Sequence, residues 1–327
     1  MKNLNTPILF LVFNRPDKTK LVFETIRKAK PKRLFVAADG PRTKRANENE
    51  TCGDVREIAT NIDWDCELKT LFRDENLGCG IAVSEAITWF IEHVEEGIIL
   101  EDDCLPNESF FPFCTELLEK YRFDGRIMMI SGNNLLGREW KSNSQSYFFG
   151  HPGVWGWATW KRAWKDYDYK MIGWEDRKIQ NTIKAGLTKI GFQTNFKTFS
   201  DTFKGAIDTW DVQWAYSILV KKGLCINPSV NLVKNTGFGK NATHTFNADS
   251  YLSDIPTAEL TFPLLHPNKI VGDKKYIKLM YETINNGGNL PSRFYKLIRV
   301  LNTTITAFKL QFSGRIQKFR LPLSRKP

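Results

Sequence analysis

The order of apolar and amphipathic segments in the first hundred residues constrains the fold more than any other feature of this sequence. Short runs rich in apolar side chains, typical of buried strands, alternate with longer segments whose apolar residues recur at helical spacing. This β-α-β-α-β-α-β order predicts an α/β fold with a doubly wound, mainly parallel sheet. The predicted strands are Pro7–Phe13, Arg33–Ala38, Glu67–Phe72 and Gly97–Leu100, and the predicted helices are Asp17–Lys28, Glu48–Ile62 and Ile81–His93.

Polar or charged side chains follow each of these predicted strands. Ligands of doubly wound sheets bind in the crevice beyond the carboxyl ends of the strands. We therefore expect ligand contacts from Asn14 and Arg15 after the first strand, Asp39 after the second, Arg73 and Asn76 after the third, and Glu101, Asp102 and Asp103 after the fourth.

Beyond residue 126 the pattern is less regular. It predicts strands at Arg126–Ser131 and Leu224–Asn227 and a helix at Asp211–Lys222, while residues 151–160 are rich in glycine and tryptophan. Indole faces suit the apolar faces of sugar rings, and Trp155 and Trp157 lie next to glycines that permit close approach. We expect these two residues to contact a sugar acceptor; the alternative is that they belong to the core.

The distribution of charge argues against a nucleic-acid partner. The net charge is +11, but nine Lys and Arg residues follow Glu282, where no acidic residue remains, so the preceding chain carries only +2. A nucleic-acid-binding protein needs its basic residues spread over the folded body. The basic charge of this chain is instead concentrated in its last segment.

That last segment, residues 285–327, interleaves aromatic and aliphatic side chains with Lys and Arg. The pattern predicts a basic amphipathic helix that lies on an anionic membrane surface; the alternative is a helix packed on the domain with its basic face in solvent. No apolar stretch of about 18 residues predicts a transmembrane helix. Without a secretory signal or disulfide-like cysteine spacing, we expect a cytoplasmic protein, peripheral on the inner face of the membrane.

The run Glu101-Asp102-Asp103 directly follows an apolar strand. Carboxylates held there can coordinate Mg²⁺ or Mn²⁺, which prefer oxygen ligands and bridge to substrate phosphates. The alternative is an acidic cluster that faces solvent at the start of the next helix.

Taken together, these features resemble the GT-A fold glycosyltransferases. The resemblance rests on Asn14-Arg15, the Asp39 turn, Asn76-Leu-Gly78 and the strand-ending EDD, which is the form of the family's DxD motif found in the N-acetylglucosaminyltransferase I type family. The segment HPGVWGW at residues 151–157 is similar to the family's FPGLGW, and TWDVQW at residues 209–214 to its WDDW. The resemblance spans about residues 6 to 250.

The resemblance implies roles for individual residues. Asp103 would bind the metal ion, Mn²⁺ or Mg²⁺, and Glu101 and Asp102 would hold the donor's ribose and sugar. A loop that begins at Gly237 would fold over the diphosphate with Lys240, and His244 would complete the metal shell, unless this is a glycine-rich surface loop. The remaining donor contacts would be Asp39 to the uracil N3–H, Asn14 or Arg15 to the nucleotide, Arg73 to the base or diphosphate, and Asn76 beside them.

Asp211 is our candidate for the catalytic base. Transfer with inversion needs one carboxylate that accepts the proton of the acceptor hydroxyl. The family has two adjacent acids where this chain has Asp211-Val212. Asp208, Glu175 and Asp176 are therefore rival candidates, and a helix N-cap is the alternative role for Asp211.

The expected function is a metal-dependent, inverting glycosyltransferase, of the hexosyl or N-acetylhexosaminyl type. It would move a sugar from a nucleotide donor, UDP-linked, to a surface-glycan or lipid-linked acceptor. Residues 1–125 would form the donor-binding half of one GT-A domain and residues 126–284 its acceptor-binding, catalytic half. The alternatives are a non-catalytic carbohydrate-binding protein and a sugar-phosphate nucleotidyltransferase, although the latter needs a glycine-rich loop after the first strand, which residues 13–19 lack.

Overall fold

A computed structural model describes residues 4–137, 140, 145–238 and 251–290. Its first part keeps the predicted alternation of strands and helices. The elements are β1 (Ile8–Val12), α1 (Pro16–Ala29), β2 (Arg33–Ala38), α2 (Glu48–Thr60), β3 (Glu67–Phe72), α3 (Cys79–His93), β4 (Glu96–Glu101), β5 (Cys104–Pro106) and α4 (Phe110–Lys120).

The second part contains elements that the sequence pattern does not predict, above all the long helix α6 and the strand β8. Helix α6 is rich in Thr, Gly and Asn, which have low helix propensity, and it is interrupted at Thr188, where φ is 69°. The elements are β6 (Ile127–Ser131), β7 (Tyr147–Gly150), β8 (Trp157–Trp160), α5 (Lys161–Trp164), α6 (Arg177–Phe203), α7 (Asp211–Val220), β9 (Leu224–Pro228), β10 (Val233–Asn235), a 3₁₀ helix (Tyr251–Asp254) and α8 (Lys274–Asn285).

Eight strands form one sheet in the order β3-β2-β1-β4-β8-β6-β9-β7. Strand β1 pairs in parallel with both β2 and β4, and β2 with β3. The chain thus moves outward from β1 to β3 and returns to the other side of β1 at β4, which makes β1 and β4 the switch point. The predicted α/β fold with a doubly wound, mainly parallel sheet is confirmed.

Helices cover both faces of the sheet. Ile8, Phe10 and Val12 of β1 pack in the core on one face, and Leu9 and Leu11 pack in the core on the other. Successive strand residues point to opposite faces, so both sets are buried and β1 is apolar throughout. Burial of each such side chain contributes about 1.5–3 kcal/mol, which makes the sheet a rigid support for the residues at its carboxyl edge.

Two further features position the site. Helix α1 starts at Pro16, whose fixed φ suits a first helical position, so the chain turns at Arg15, directly above the sheet. Strand β10 pairs antiparallel with β5, with Asn235 opposite Cys104. This second pairing brings the residues after β10 next to the acids after β4.

Among the described residues, none of the helices is both long and apolar enough to cross a membrane. The basic amphipathic segment begins after helix α8, which ends at Asn285. From residue 291 onward that segment lies outside the described residues, so its predicted contact with a membrane stays a prediction.

Candidate active site

The residues after β1 and after β4 meet at the switch point through an ion-pair network. Arg15 Nη1 donates to Asp103 Oδ2 at 3.0 Å, and Arg15 Nη2 donates to Asp102 Oδ1. Asp102 is only 2% exposed and also accepts the backbone N–H of Phe13 at 3.4 Å. Burial lowers the pKa of Arg15, but the charges of Asp102 and Asp103 outweigh it and raise that pKa. A carboxylate this deeply buried is tolerable because a guanidinium pairs with it.

Glu101, the last residue of β4, adds a third acid to this edge. Burial raises the pKa of Glu101 well above its ordinary value, and the charges of Asp103, Asp102 and Asp211 raise it further, whereas Arg15 opposes the rise. Three carboxylic acids thus face a single guanidinium. Such a site favours an additional cation or a bound proton.

Asp211 approaches the same edge from the other half of the sheet. It is the first residue of α7, and its Oδ1 accepts the hydroxyl hydrogen of Thr209. The thiol of Cys79, at the start of α3, lies near acids from both parts of the chain. Burial raises the pKa of this thiol, as do the charges of four carboxylates, those of Glu101, Asp211, Asp208 and Asp103. Cys79 is therefore a neutral thiol among acids.

Asp208, a rival candidate for the base, has a different role. Its carboxylate accepts the backbone N–H groups of Cys79 and Gly80, each at 2.9 Å, and so caps helix α3 from a distant part of the chain. A Cβ atom on Gly78 or Gly80 would lie 2.5 Å or 2.6 Å from this carboxylate, so both positions need glycine. Charge-assisted bonds at a helix N-terminus are strong. They fasten the segment that leads to Asp211 onto helix α3.

The other two rivals lie away from the crevice. Asp176 caps α6 by accepting the backbone N–H of Lys178 at 2.7 Å, and it is exposed. Glu175 is exposed as well. Among the four candidate acids, Asp211 alone is half-buried beside the strand-end carboxylates without serving as a helix cap.

Asp39 organises a turn. Its two oxygens accept hydrogen bonds from the side-chain amide of Asn76 at 2.9 Å and from the backbone N–H groups of Gly40, Leu77 and Gly78 at 2.9–3.1 Å. The Asn76 amide also donates to the carbonyl of Gly40 at 2.8 Å. This carboxylate has no lone pair left for a uracil N–H. The alternative that Asp39 is a turn residue is the one the structure supports, and Asn76 is its partner.

Asn14 is held by a residue that sequence analysis does not single out. Its side-chain amide donates to Glu48 Oε1 at 2.8 Å, and Glu48 also pairs with Arg42, whose Nε lies 2.9 Å from Oε2. The hydrogen bond from the Arg42 side chain is the main reason that the pKa of Glu48 falls to about 2. Arg42 in turn lies over the Phe13 ring, 5.3 Å from its centroid. Glu48 begins the predicted helix Glu48–Ile62, but only tertiary structure identifies its partners.

Arg73 lies directly after β3, next to helix α3. Its guanidinium donates to Glu85 of α3 at 3.2 Å and is largely buried. The structure does not bring it into contact with Arg15, Asp102 or Asp103. Its predicted contact with the base or diphosphate stays a prediction.

The prediction that Trp157 contacts an acceptor is wrong. Trp157 is fully buried in β8, and its ring stacks on Trp210 at a centroid distance of 5.5 Å. Side chains of a central strand are covered on both faces, so this indole belongs to the core. Trp155 remains partly exposed and meets Phe238 edge to face at 5.7 Å, so its acceptor role stays a prediction.

Next to Asp211 lies a pocket of about 110 Å³. The loop before β8, helices α6 and α7, and helix α8 contribute its walls. The polar residues that line it are His151, Asn195, Thr198, Asp211 and Tyr281. Sequence analysis missed this pocket, because two of the helices that form it, α6 and α8, are not predicted.

The acids and the segment after β10 lie in close contact. The backbone N–H of Thr236 donates to the carbonyl of Asp103 at 2.8 Å, and a side chain on Gly237 would overlap the Asp103 carboxylate. Lys240 and His244 fall within residues 239–250, outside the described residues. Over the part of the chain that is described, no three or more His, Cys, Asp or Glu side chains are arranged to hold a metal ion. A metal ion here would therefore need further ligands.

Comparison with known proteins gives only distant similarities. No family model and no curated protein matches the chain. UDP-glucose pyrophosphorylase, solved with UDP-glucose, is 13% identical, with 68% of this chain and 90% of that protein covered and a TM-score of 0.32. A protein described as a glucose-1-phosphate thymidylyltransferase of Bacillus anthracis is 8% identical, with 77% of this chain and 97% of that protein covered and a TM-score of 0.36. Mouse xyloside xylosyltransferase 1 is 9% identical, with 66% of this chain and 82% of that protein covered and a TM-score of 0.32. At such low identities and TM-scores, the chemistry depends on the residues of this chain.

Proposed function

We propose that this protein is a glycosyltransferase that moves a sugar, with inversion, from a nucleotide-sugar donor to a hydroxyl group of an acceptor. One observation carries the proposal. The carboxylate of Asp211 lies within the electrostatic reach of the strand-end acid Glu101 and also lines the neighbouring pocket. A base for glycosyl transfer has to face the donor sugar on one side and the acceptor hydroxyl on the other.

The donor would bind at the switch point between β1 and β4. Nucleotides bind at such points in doubly wound sheets, and the backbone of Phe13 and the side chain of Arg15 are already fixed there by Asp102. Arg15 would contact the diphosphate, because a guanidinium matches phosphate oxygens. Glu101 and Asp102 would face the ribose and the donor sugar. A uridine base is part of the proposal by resemblance only, since the Asp39 carboxylate is occupied.

A divalent cation at this acidic edge is part of the proposal. The carboxylates of Asp102 and Asp103 outnumber the single guanidinium of Arg15, so they would repel a diphosphate unless further positive charge is present. Asp103, which is 13% exposed and accepts one strong hydrogen bond, would hold Mn²⁺ or Mg²⁺ together with oxygens of the donor. When bound, the cation would supply charge for the departing diphosphate. Lys240 and His244 are proposed to add to that charge and to the metal's ligands.

The chemical step would be a displacement at the anomeric carbon. Asp211 Oδ2 would accept the proton of the acceptor hydroxyl as that oxygen attacks. The new C–O bond forms while the bond to the diphosphate oxygen breaks, and the electron pair leaves with the nucleoside diphosphate. Arg15 would stabilise the negative charge that develops on that oxygen.

The acceptor is proposed to be a surface glycan or a lipid-linked glycan. The support is the basic, acid-free segment that follows Glu282, whose nine cationic residues would attract an anionic membrane surface. Trp155 is proposed to contact the acceptor outside the pocket.

Thermal unfolding in the presence of a nucleotide panel tests the proposed function. UDP, GDP, CDP and dTDP are each added with Mn²⁺, with Mg²⁺ or with EDTA, to the wild type and to Asp103→Ala. A rise in melting temperature that needs the metal and disappears in the variant supports the proposal. A response only to a nucleoside triphosphate with sugar 1-phosphate would indicate a nucleotidyltransferase. Binding of sugars but of no nucleotide would indicate a carbohydrate-binding protein.

A further inference from the structure

We propose that the pocket beside Asp211 binds an uncharged, hydroxyl-bearing sugar ring and discriminates against groups that carry a phosphate or carboxylate. The pocket is formed by the loop before β8 and by helices α6, α7 and α8. That this ring belongs to the acceptor rests on the proposed function; that the pocket accepts a neutral sugar rests on its walls alone.

Both apolar and polar side chains line the pocket. Val154, Leu187, Phe199 and Leu219 supply apolar surface. A volume of about 110 Å³ is far more than the roughly 10–15 Å³ that one water molecule needs. A concave site with apolar walls and a few polar groups is the usual form of a small-molecule site, and a pyranose ring offers the same mixture of C–H faces and hydroxyl edges.

The polar groups form one preorganised edge. His151 Nδ1 lies 3.2 Å from the hydroxyl oxygen of Tyr281, and the side-chain amide of Asn195 donates to the carbonyl of Gly191 at 2.8 Å. This network leaves His151 Nε2 without a hydrogen-bond partner among the described residues. The same holds for the hydroxyl of Thr198 and for Asp211 Oδ2 within the described ranges. Three residues that line the pocket next to the proposed base thus carry polar atoms able to bind hydroxyls.

The charge of the residues that line the pocket determines which class of ligand it can bind. Of the described residues that line the pocket, none is Lys or Arg, and Asp211 is the acidic one. Burial lowers the pKa of His151 to about 4, so its ring is neutral at physiological pH. An anionic group would meet the carboxylate of Asp211 with no counter-charge from these walls, which is unfavourable. A neutral hydroxyl can donate to that carboxylate instead.

Ligand-observed NMR and calorimetry with defined sugars test this inference. The neutral probes are the methyl β-glycosides of glucose, galactose and N-acetylglucosamine; the anionic probes are glucuronic acid and glucose 6-phosphate. Each is titrated into the full chain with and without UDP and Mn²⁺. We expect at least one neutral glycoside to bind, and the anionic probes to bind at least tenfold more weakly.

Two variants connect that binding to the pocket. Ala215→Phe fills the pocket from α7 and is expected to raise the Kd of the neutral glycoside at least tenfold. Ala185→Phe, the same change on the exposed face of α6, is expected to alter it less than twofold. Thr198→Val, which removes one hydroxyl at nearly constant volume, is expected to weaken binding severalfold, and thermal unfolding confirms that each variant is folded.

The outcomes separate this inference from the proposed function. Three outcomes would each overturn the pocket assignment alone. Neutral glycosides could bind equally to Ala215→Phe and wild type, or anionic probes could bind more tightly than neutral ones. The third outcome is a protein that binds UDP but no glycoside. Pocket-dependent sugar binding by a protein that binds no nucleotide would leave this assignment intact and overturn the glycosyltransferase proposal.

Discussion

Asp208 Oδ2 lies 2.9 Å from the backbone nitrogen of Cys79, although 129 residues separate the two in the chain. Together with the bond to the next backbone N–H, this contact ties the segment that leads to Asp211 to the first turn of α3. The segment that leads to the proposed base is thus held in place by the carboxylate of Asp208. The contact also connects helix α3 with the segment before helix α7, which lines the pocket.

Replacing Asp208 should therefore impair turnover more than donor binding. We expect Asp208→Ala to lower kcat at least tenfold, to leave the Kd of the nucleotide within about twofold, and to cost about 0.5–2 kcal/mol of unfolding free energy. Asp208→Asn, which keeps one acceptor oxygen, should recover part of kcat.

Asp176→Ala is the matched control, because it also removes a helix N-cap, that of α6, but on the exposed surface. It should cost similar stability and leave kcat unchanged. If Asp208→Ala and Asp176→Ala had the same effect on kcat, a positioning role for Asp208 would be excluded.

The ion pair of Arg15 should dominate the stability of the crevice. In Arg15→Ala the carboxylate of Asp102, 2% exposed, loses its counter-charge, so we expect a loss of about 3–5 kcal/mol in urea denaturation. The double variant Arg15→Ala with Asp102→Asn should regain part of that loss. Arg126→Ala removes an exposed pair with Asp124 and should cost far less stability. Equal losses from the two single variants would contradict this account.

The turn made by Asp39 gives a prediction about base recognition. Asp39→Asn keeps an acceptor oxygen but loses the carboxylate, and we expect it to destabilise the fold by about 1–3 kcal/mol. Because Asp39 is occupied by residues 76–78, the ratio of UDP to CDP affinity should stay within about twofold of wild type. Asp74→Asn, an exposed neighbour, is the control for stability. A tenfold change in that ratio would return Asp39 to the nucleotide site.

His151 should make stability depend on pH in mild acid. Burial lowers the pKa of this residue from 6.5 to about 4, so between these values the unfolded chain binds the proton more readily. Stability is therefore greatest above pH 6.5 and falls as the pH drops towards 4. Since His151 is only half-buried, we expect a loss of about 1–2 kcal/mol.

The measurement is denaturant unfolding from pH 4.5 to 7.5. His151→Gln should show a smaller loss than wild type over this range, whereas His93→Gln, which changes an exposed histidine, should follow the wild type. Identical curves for all three proteins would show that His151 does not contribute.

The strands and helices of the first hundred residues could be predicted from the sequence because the patterns that indicate them are local. Each apolar run of the first hundred residues sits between turn residues, and the switch-point rule then brings Arg15 to Asp102 and Asp103 across 87 and 88 residues. The role of Asp39 was less accessible, since a turn residue and a ligand-binding residue look alike in a sequence.

The arrangement of residues 126–284 could not be predicted in the same way. Trp157 and Trp210 pack together because β8 enters the middle of the sheet antiparallel to β4, a topology that no local pattern encodes. The pocket depends on how α6, interrupted at Thr188, packs on α8. The partners of Asn14 and Asp208 are likewise set by tertiary contacts between distant segments.

The most direct test of the central claim is the turnover of a nucleotide sugar by wild type and by Asp211→Asn. Candidate UDP-sugars are incubated with a methyl glycoside and Mn²⁺, and NMR follows release of UDP and the anomeric configuration of the product. We predict transfer with inversion by the wild type, a rate at least 100-fold lower for Asp211→Asn, and a donor Kd within about twofold. Transfer by Asp211→Asn at the wild-type rate, or a product with retained configuration, would contradict the assignment of Asp211 as the base.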